Sequence, residues 1–318
     1  MTTSSHALNL NRLATPAIVL PIVLITLLVL AGLVQPSFVS PRNLQDILTQ
    51  AAPLCIVVIG QTFVILVRGL DLSVASVMAT VAVIATAFNT TDNAFVPQIV
   101  LLSLTLGLLV GLINGYLVVK RNVSPFLATL AMMTVLQGGR FYYTQGAPGG
   151  SLPTSLRYLG AGHLWGVPVN LIVVAIVLAV AAILLSKSIL GRKIYIVGGN
   201  SRSAELVGIR SDRITIFCYV TSSVLAALAG LVLVGFVGSV DNWVGRGYEL
   251  DSIVAAVIGG IALTGGRGSP LYSVLGAIVL MVTFNFVIIV GLPVQAQFII
   301  KGVVIIAAAA LFRKIAAS

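Results

Sequence analysis

Apolar stretches long enough to cross a membrane recur along the whole chain, and almost none is interrupted by a charge. A helix needs about 20 apolar residues to span a bilayer core about 30 Å thick. In hydrocarbon each backbone N–H and C=O must find a partner within the protein, which leaves helices or a closed barrel. The runs here are continuous rather than alternating, so they read as helices. Composition agrees. Of 318 residues, 58% are hydrophobic and 8% charged, whereas a soluble domain carries about a quarter charged residues. The sequence therefore predicts an all-α polytopic membrane helix bundle.

About ten transmembrane helices are expected, at roughly 17–34, 51–67, 72–89, 96–119, 126–143, 168–186, 214–235, 251–263, 270–290 and 295–312. The segment 251–263 is short for a span and reads as re-entrant or broken, which protein or a cavity must then shield. With this count, most of the basic residues fall on one side, Lys120, Arg121, Lys187, Arg192, Lys193, Arg313 and Lys314 among them. That asymmetry predicts that both termini are cytoplasmic. The chain divides into a cytoplasmic tail at 1–16, a membrane domain at 17–312 and a cytoplasmic tail at 313–318. The first apolar run lacks a clear cleavage pattern and reads as an uncleaved helix. Net charge is +10, but no basic face interleaved with aromatics suggests nucleic acid.

Prolines mark several helix starts. Ser124-Pro125 and Ser269-Pro270 place a hydroxyl before a proline at the first helical position. Gly107, Gly111 and Gly115 recur every four residues, so three glycines share one face and a neighbouring backbone can approach closely. Val58-Ile59-Gly60 with Arg68-Gly69, and Val257-Ile258-Gly259 with Arg267-Gly268, repeat at equal spacing. Internal duplication and chance both remain open for that echo.

Catalytic constellations are missing from the sequence. It holds no phosphate-binding GxxxxGK[ST] loop, so ATP binding is not expected of this chain. His6 and His163 stand in no nucleophile motif. Cys55 and Cys218 lie in apolar runs without metal-ligand spacing, and no metal or cofactor is expected. The acids, including Asp71, Glu249 and Asp251, sit at helix ends or in loops, which argues against ion coupling through buried carboxylates. An enzyme is not expected.

The basic segment 187–213 is too polar to span. Residues Ser201–Val207 suit a short helix capped by Asn200 or Ser201, with Gly198, Gly199 and Gly208 as permissive turns. It reads either as a lever for a peripheral protein or as a solvated loop. Asp71, with Ser73, reads as a helix cap or, with Arg68, as part of a gate. Gln61, Asn114, Gln137 and Asn285 are uncharged polar residues inside spans. They suit hydrogen bonding to an uncharged polar solute or bonding between helices. Arg246, Glu249 and Asp251 lie together, as a charged docking patch or as capping groups.

Three stretches carry a resemblance that covers nearly the whole chain. They are Gly69-Leu70-Asp71-Leu72-Ser73-Val74, Val197-Gly198-Gly199-Asn200 with Ala204 and Gly208-Ile209, and Gly247-Tyr248-Glu249-Leu250-Asp251 through to Gly265-Gly266-Arg267-Gly268-Ser269. The sequence resembles the permease family of ribose-type ATP-binding cassette importers. Arg68 and Ala75 stand where that family has glycine, and Glu205 where it often has a base. The resemblance implies a permease subunit translocating a monosaccharide or related polyol by alternating access across a bacterial inner membrane. It implies a second permease, a cytoplasmic ATPase that binds ATP and Mg, and an outer sugar-binding protein. Gly198, Gly199, Asn200, Ala204, Glu205 and Gly208 would then form the contact with the ATPase. Arg246, Glu249 and Asp251 would meet the binding protein.

Overall fold

The computed structural model describes residues 16–291, 293, 295–299 and 302–303. The chain runs through α1 (Pro16–Val34), α2 (Pro41–Leu66), α3 (Val74–Ala87), α4 (Val96–Lys120) and α5 (Pro125–Thr144). It continues through α6 (Thr154–Ala161), a hairpin of two-residue strands β1 (His163–Leu164) and β2 (Val167–Pro168), and α7 (Val169–Lys187). Two short helices follow, α8 (Ile189–Gly199) and α9 (Ser201–Leu206), and then α10 (Ser211–Val237), α11 (Tyr248–Ile258) and α12 (Pro270–Ile289). Six helices among the described residues are long and apolar enough to cross a membrane. The last expected span, 295–312, and the tails at 1–15 and 313–318 lie wholly or largely outside the described residues.

Helix α10 forms the axis of the bundle and packs against α2, α3, α4 and α6. Helix α2 lies beside it and also touches α7, α11 and α12. From Ala51 onward every residue of α2 is buried, as expected of a helix apolar on all sides. Helix α1 has only Leu20 and Ala31 buried, so its surface is left to lipid.

Lipid tails are as apolar as leucine, so burial alone does not hold such helices together. Close backbone packing does. The glycine face of α4 supplies it. A Cβ at Gly111 would lie 2.5 Å from Val220 Cα and 2.8 Å from the Tyr219 carbonyl oxygen. At Gly107 and Gly115 it would meet Ser223 and Ile216 backbone at 2.7 and 2.9 Å. The face therefore makes an internal contact, with α10.

Two of the expected spans are short. Helix α3 has 14 residues, about 21 Å at 1.5 Å per residue, and is buried almost throughout. Helix α11 has 11 residues, about 16 Å, and ends at Gly259-Gly260. The irregular segment after it keeps its backbone paired. Gly260 N–H bonds to Val257 (2.8 Å), Ile261 N–H to Ala256 (3.0 Å) and Ala262 N–H to Arg267 (3.1 Å). This is the broken segment expected at 251–263.

Some boundaries differ from the expectation. Helix α2 starts at Pro41, where Ser40 Oγ accepts from Asn43 N–H at 3.3 Å. Its first turns are polar and do not register as an apolar run. Proline occupies the first helical position of α5 and α12, but the Ser124 and Ser269 side chains make no capping bond. The preset φ of proline suffices there.

Candidate functional site

Three features stand out: a buried polar knot, a cavity halfway along the bundle, and a short helical hairpin.

The knot centres on Asp71, which is fully buried in the turn between α2 and α3. Its Oδ1 accepts from Ser73 N–H (3.0 Å) and Ser73 Oγ–H (2.5 Å), and its Oδ2 accepts from Ser222 Oγ–H of α10 (2.9 Å). Asn114 of α4 donates through Nδ2 to Ser73 Oγ at 2.9 Å. Gln61 of α2, with its amide oriented to satisfy both groups, donates to the Asp71 carbonyl and accepts from its N–H, each at 3.2 Å. A buried polar group needs such partners. Gln61 and Asn114 therefore serve as bonds between helices at this point. The Ser73 side chain makes no cap bond to α3. Arg68 points away from Asp71 and donates to the carbonyls of Gly198 and Gly199.

The cavity has a volume of about 240 Å³ and lies between α3, α5 and the segment entering α11. Ala75, Ser76 and Ala79 line it from α3, and Met133, Gln137 and Arg140 from α5. Asn242, Trp243, Val244, Arg246 and Glu249 close the remaining side. Met133 to Arg140 stand about 12 to 22 Å along α5 from its start, in the middle stretch of this 20-residue helix. Arg140 is buried, and its Nη1 donates to the Ser76 carbonyl at 3.0 Å. The Arg246 guanidinium lies 4.9 Å from the Trp243 ring centroid. Glu249 Oε2 accepts from Gly247 N–H at 2.9 Å. The seam between α3 and α5 stays hollow beyond Arg140, with a mainly apolar cavity of about 610 Å³ and an outer one of about 510 Å³.

Gln137 thus meets Arg246 and Glu249 at one cavity. Asp251 is buried in the first turn of α11, where an acid suits the helix dipole. Asn285 lies on α12, away from the cavity, and its buried Oδ1 has no hydrogen bond among the described residues. Arg140, Asn242 and Trp243 were not singled out from the sequence as site residues. A lone cation within α5 and an aromatic residue in the glycine-rich loop 238–247 were the available signals.

The hairpin is formed by α8 and α9. Asn200 Oδ1 accepts from Ser203 N–H at 3.0 Å and caps α9. Ala204 is buried, Glu205 is exposed, and Gly208 closes the turn at φ +80°. Leu206 and Val207 are 85% and 72% exposed, an apolar pair that no part of the chain covers among the described residues.

Comparison with known proteins decides what this bundle is. The sequence model of a family described as the permease component of branched-chain amino acid transport systems matches residues 43–309. The chain belongs to that permease family. The ribose import permease protein RbsC of Escherichia coli K12 is 37% identical over 292 residues, covering 90% of each chain. Its namesake in Haemophilus influenzae is 36% identical over 291 residues, again 90% of each. The galactofuranose transporter permease protein YtfT of E. coli K12 is 36% identical over 262 residues, 82% of this chain and 76% of that one. No solved structure matches the chain. This permease is thus a non-catalytic transport component, a multi-pass protein of the bacterial inner membrane.

Proposed function

We propose that this permease is the membrane-spanning subunit of an ATP-driven, binding-protein-dependent importer, and that its cargo, a monosaccharide or related polyol, passes through the cavity between α3, α5 and α11. The observation that carries this reading is that Gln137, Glu249, Asn242 and Arg246 surround one cavity against the middle stretch of α5. A neutral sugar needs donors and acceptors on several sides, and these side chains provide both. The relatives named for ribose and galactofuranose import support the same cargo class.

The full bundle is read as about ten spans with both termini cytoplasmic, 17–312 forming the membrane domain and 187–213 a cytoplasmic coupling segment. Helix α9 docks onto a cytoplasmic ATPase, which binds the ATP and Mg. The exposed Leu206 and Val207 and the shaped ends at Gly198, Gly199 and Gly208 support that role. An outer sugar-binding protein delivers the cargo.

A second permease, identical or similar, completes the passage. The support is α5. It is 20 residues long, yet it is not among the six strongly apolar helices. Much of it is exposed, and Gly138 and Gly139 have nothing within 4 Å of a Cβ position. A face with Thr134, Gly138, Gly139 and two tyrosines is poorly suited to lipid and well suited to a second subunit.

The reading is tested in proteoliposomes with a panel of labelled sugars. Uptake should require the permease, its ATPase, the binding protein and ATP together. Uptake by the permease alone, driven by a proton or sodium gradient, would make it a secondary carrier.

A further inference from the structure

Arg68 adopts φ +65°, a left-handed conformation that strains most side chains and that glycine adopts freely. What the side chain gains there is specific. Its Nε donates to the Gly198 carbonyl at 2.7 Å, and its Nη2 donates to the Gly199 carbonyl. These are the last carbonyls of α8, which lack helical partners and sit at the negative end of the helix dipole. A guanidinium is suited to both.

The bond joins two parts of the molecule. On one side is the hairpin α8–α9. On the other is the turn 66–73, which the Asp71 knot fixes to α2, α4 and α10. The third wall of the junction is the segment after α11. Gly266 N–H bonds to the Leu66 carbonyl at 2.9 Å, and Tyr195 Oη–H bonds to the Gly268 carbonyl at 2.8 Å. There is no slack between them. A Cβ at Gly266 would come 2.8 Å from Gly199 N, and one at Gly265 would come 2.5 Å from Arg68 Cγ. Both elements that leave this junction end on the cavity. Helix α3 starts at Val74, and Ala75 and Ser76 line the cavity. Helix α11 runs back from the junction to Glu249.

We propose that Arg68 is a positioning residue that ties the docking hairpin to the inner ends of both cavity walls. Movement of α9 then reaches α3 and α11 instead of being absorbed in loops. The inference rests on the importer reading above, with α9 on the ATPase. Coupling of this kind requires a continuous physical connection between two elements that move together.

The test measures sugar uptake and ATP hydrolysis in the same proteoliposomes, with the complete assembly, for the unaltered chain, Arg68→Gly and Arg68→Lys. Glycine fits φ +65° without strain, so Arg68→Gly should assemble and support hydrolysis. Its uptake per ATP should fall roughly fivefold or more, the lower end of typical coupling between sites. Lysine keeps one charged donor and should restore part of the ratio. An unchanged ratio in Arg68→Gly overturns the inference alone. So does failure of that variant to assemble, which would make Arg68 a folding residue. Absence of ATP-driven uptake with the unaltered chain contradicts the importer reading and the inference with it.

Discussion

Asp71 accepts hydrogen bonds from two serines on different elements, so its shape as an acceptor matters more than its charge. Asp71→Asn keeps one acceptor oxygen for Ser73, and the Ser222 hydroxyl can turn to accept from the new amide. That variant should fold and transport. Asp71→Ala leaves buried hydroxyls without a partner and should cost about 1–3 kcal/mol, seen as a lower thermal midpoint in detergent. A loss of transport in Asp71→Asn at unchanged stability would instead give the charge itself a role. In the cavity, Glu249→Ala and Gln137→Ala should each lower sugar uptake about tenfold, the size of one lost hydrogen bond to a charged or buried group. ATP hydrolysis by the assembly should be kept. Uptake equal to that of the unaltered chain in both would remove the cavity from the passage.

Helices test packing rather than chemistry. Gly111→Leu would drive side-chain atoms into the backbone of α10 at Val220 and Tyr219, which cannot yield. It should destabilise by about 1–3 kcal/mol or more, read as loss of folded yield. A Cβ at Gly138 has open space around it among the described residues, so Gly138→Leu should leave the single subunit folded while weakening its association with a second permease, read by cross-linking in membranes. A normal dimer from Gly138→Leu would move the interface elsewhere. The helices were legible because their signals are local: continuous apolar runs and prolines at the starts of α5 and α12. The start of α2 was not, since its first ten residues are polar and amphipathic. Nor were α6 and α8, which are short and only partly apolar. Sequence periodicity found the glycine face of α4, but only packing shows that α10 lies against it.

Across the whole molecule the chemistry depends on juxtaposition that no linear pattern reveals. Gln61, Asn114 and Gln137 look alike in the sequence, as single amides within apolar runs. The fold sends two of them to the Asp71 knot and one to the cavity. Arg246 and Glu249 follow α10 in sequence and meet Gln137 only because the loop into α11 folds back onto α3 and α5. The repeated Arg-Gly turns at 68–69 and 267–268 are 199 residues apart and lie in one junction, held through Leu66 and Gly266. On the proposed reading, drive from the ATPase enters at the α8–α9 hairpin and reaches the cavity through this junction.

The passage through that cavity is tested most directly at Gln137. Both native cysteines, Cys55 and Cys218, are buried, so a thiol introduced at 137 is the reactive one. In proteoliposomes carrying the complete assembly, a small membrane-impermeant thiol reagent should modify Gln137→Cys and abolish the ATP-driven uptake that this variant retains. Modification that leaves uptake intact, or a thiol at 137 as unreactive as Cys55, would contradict the account.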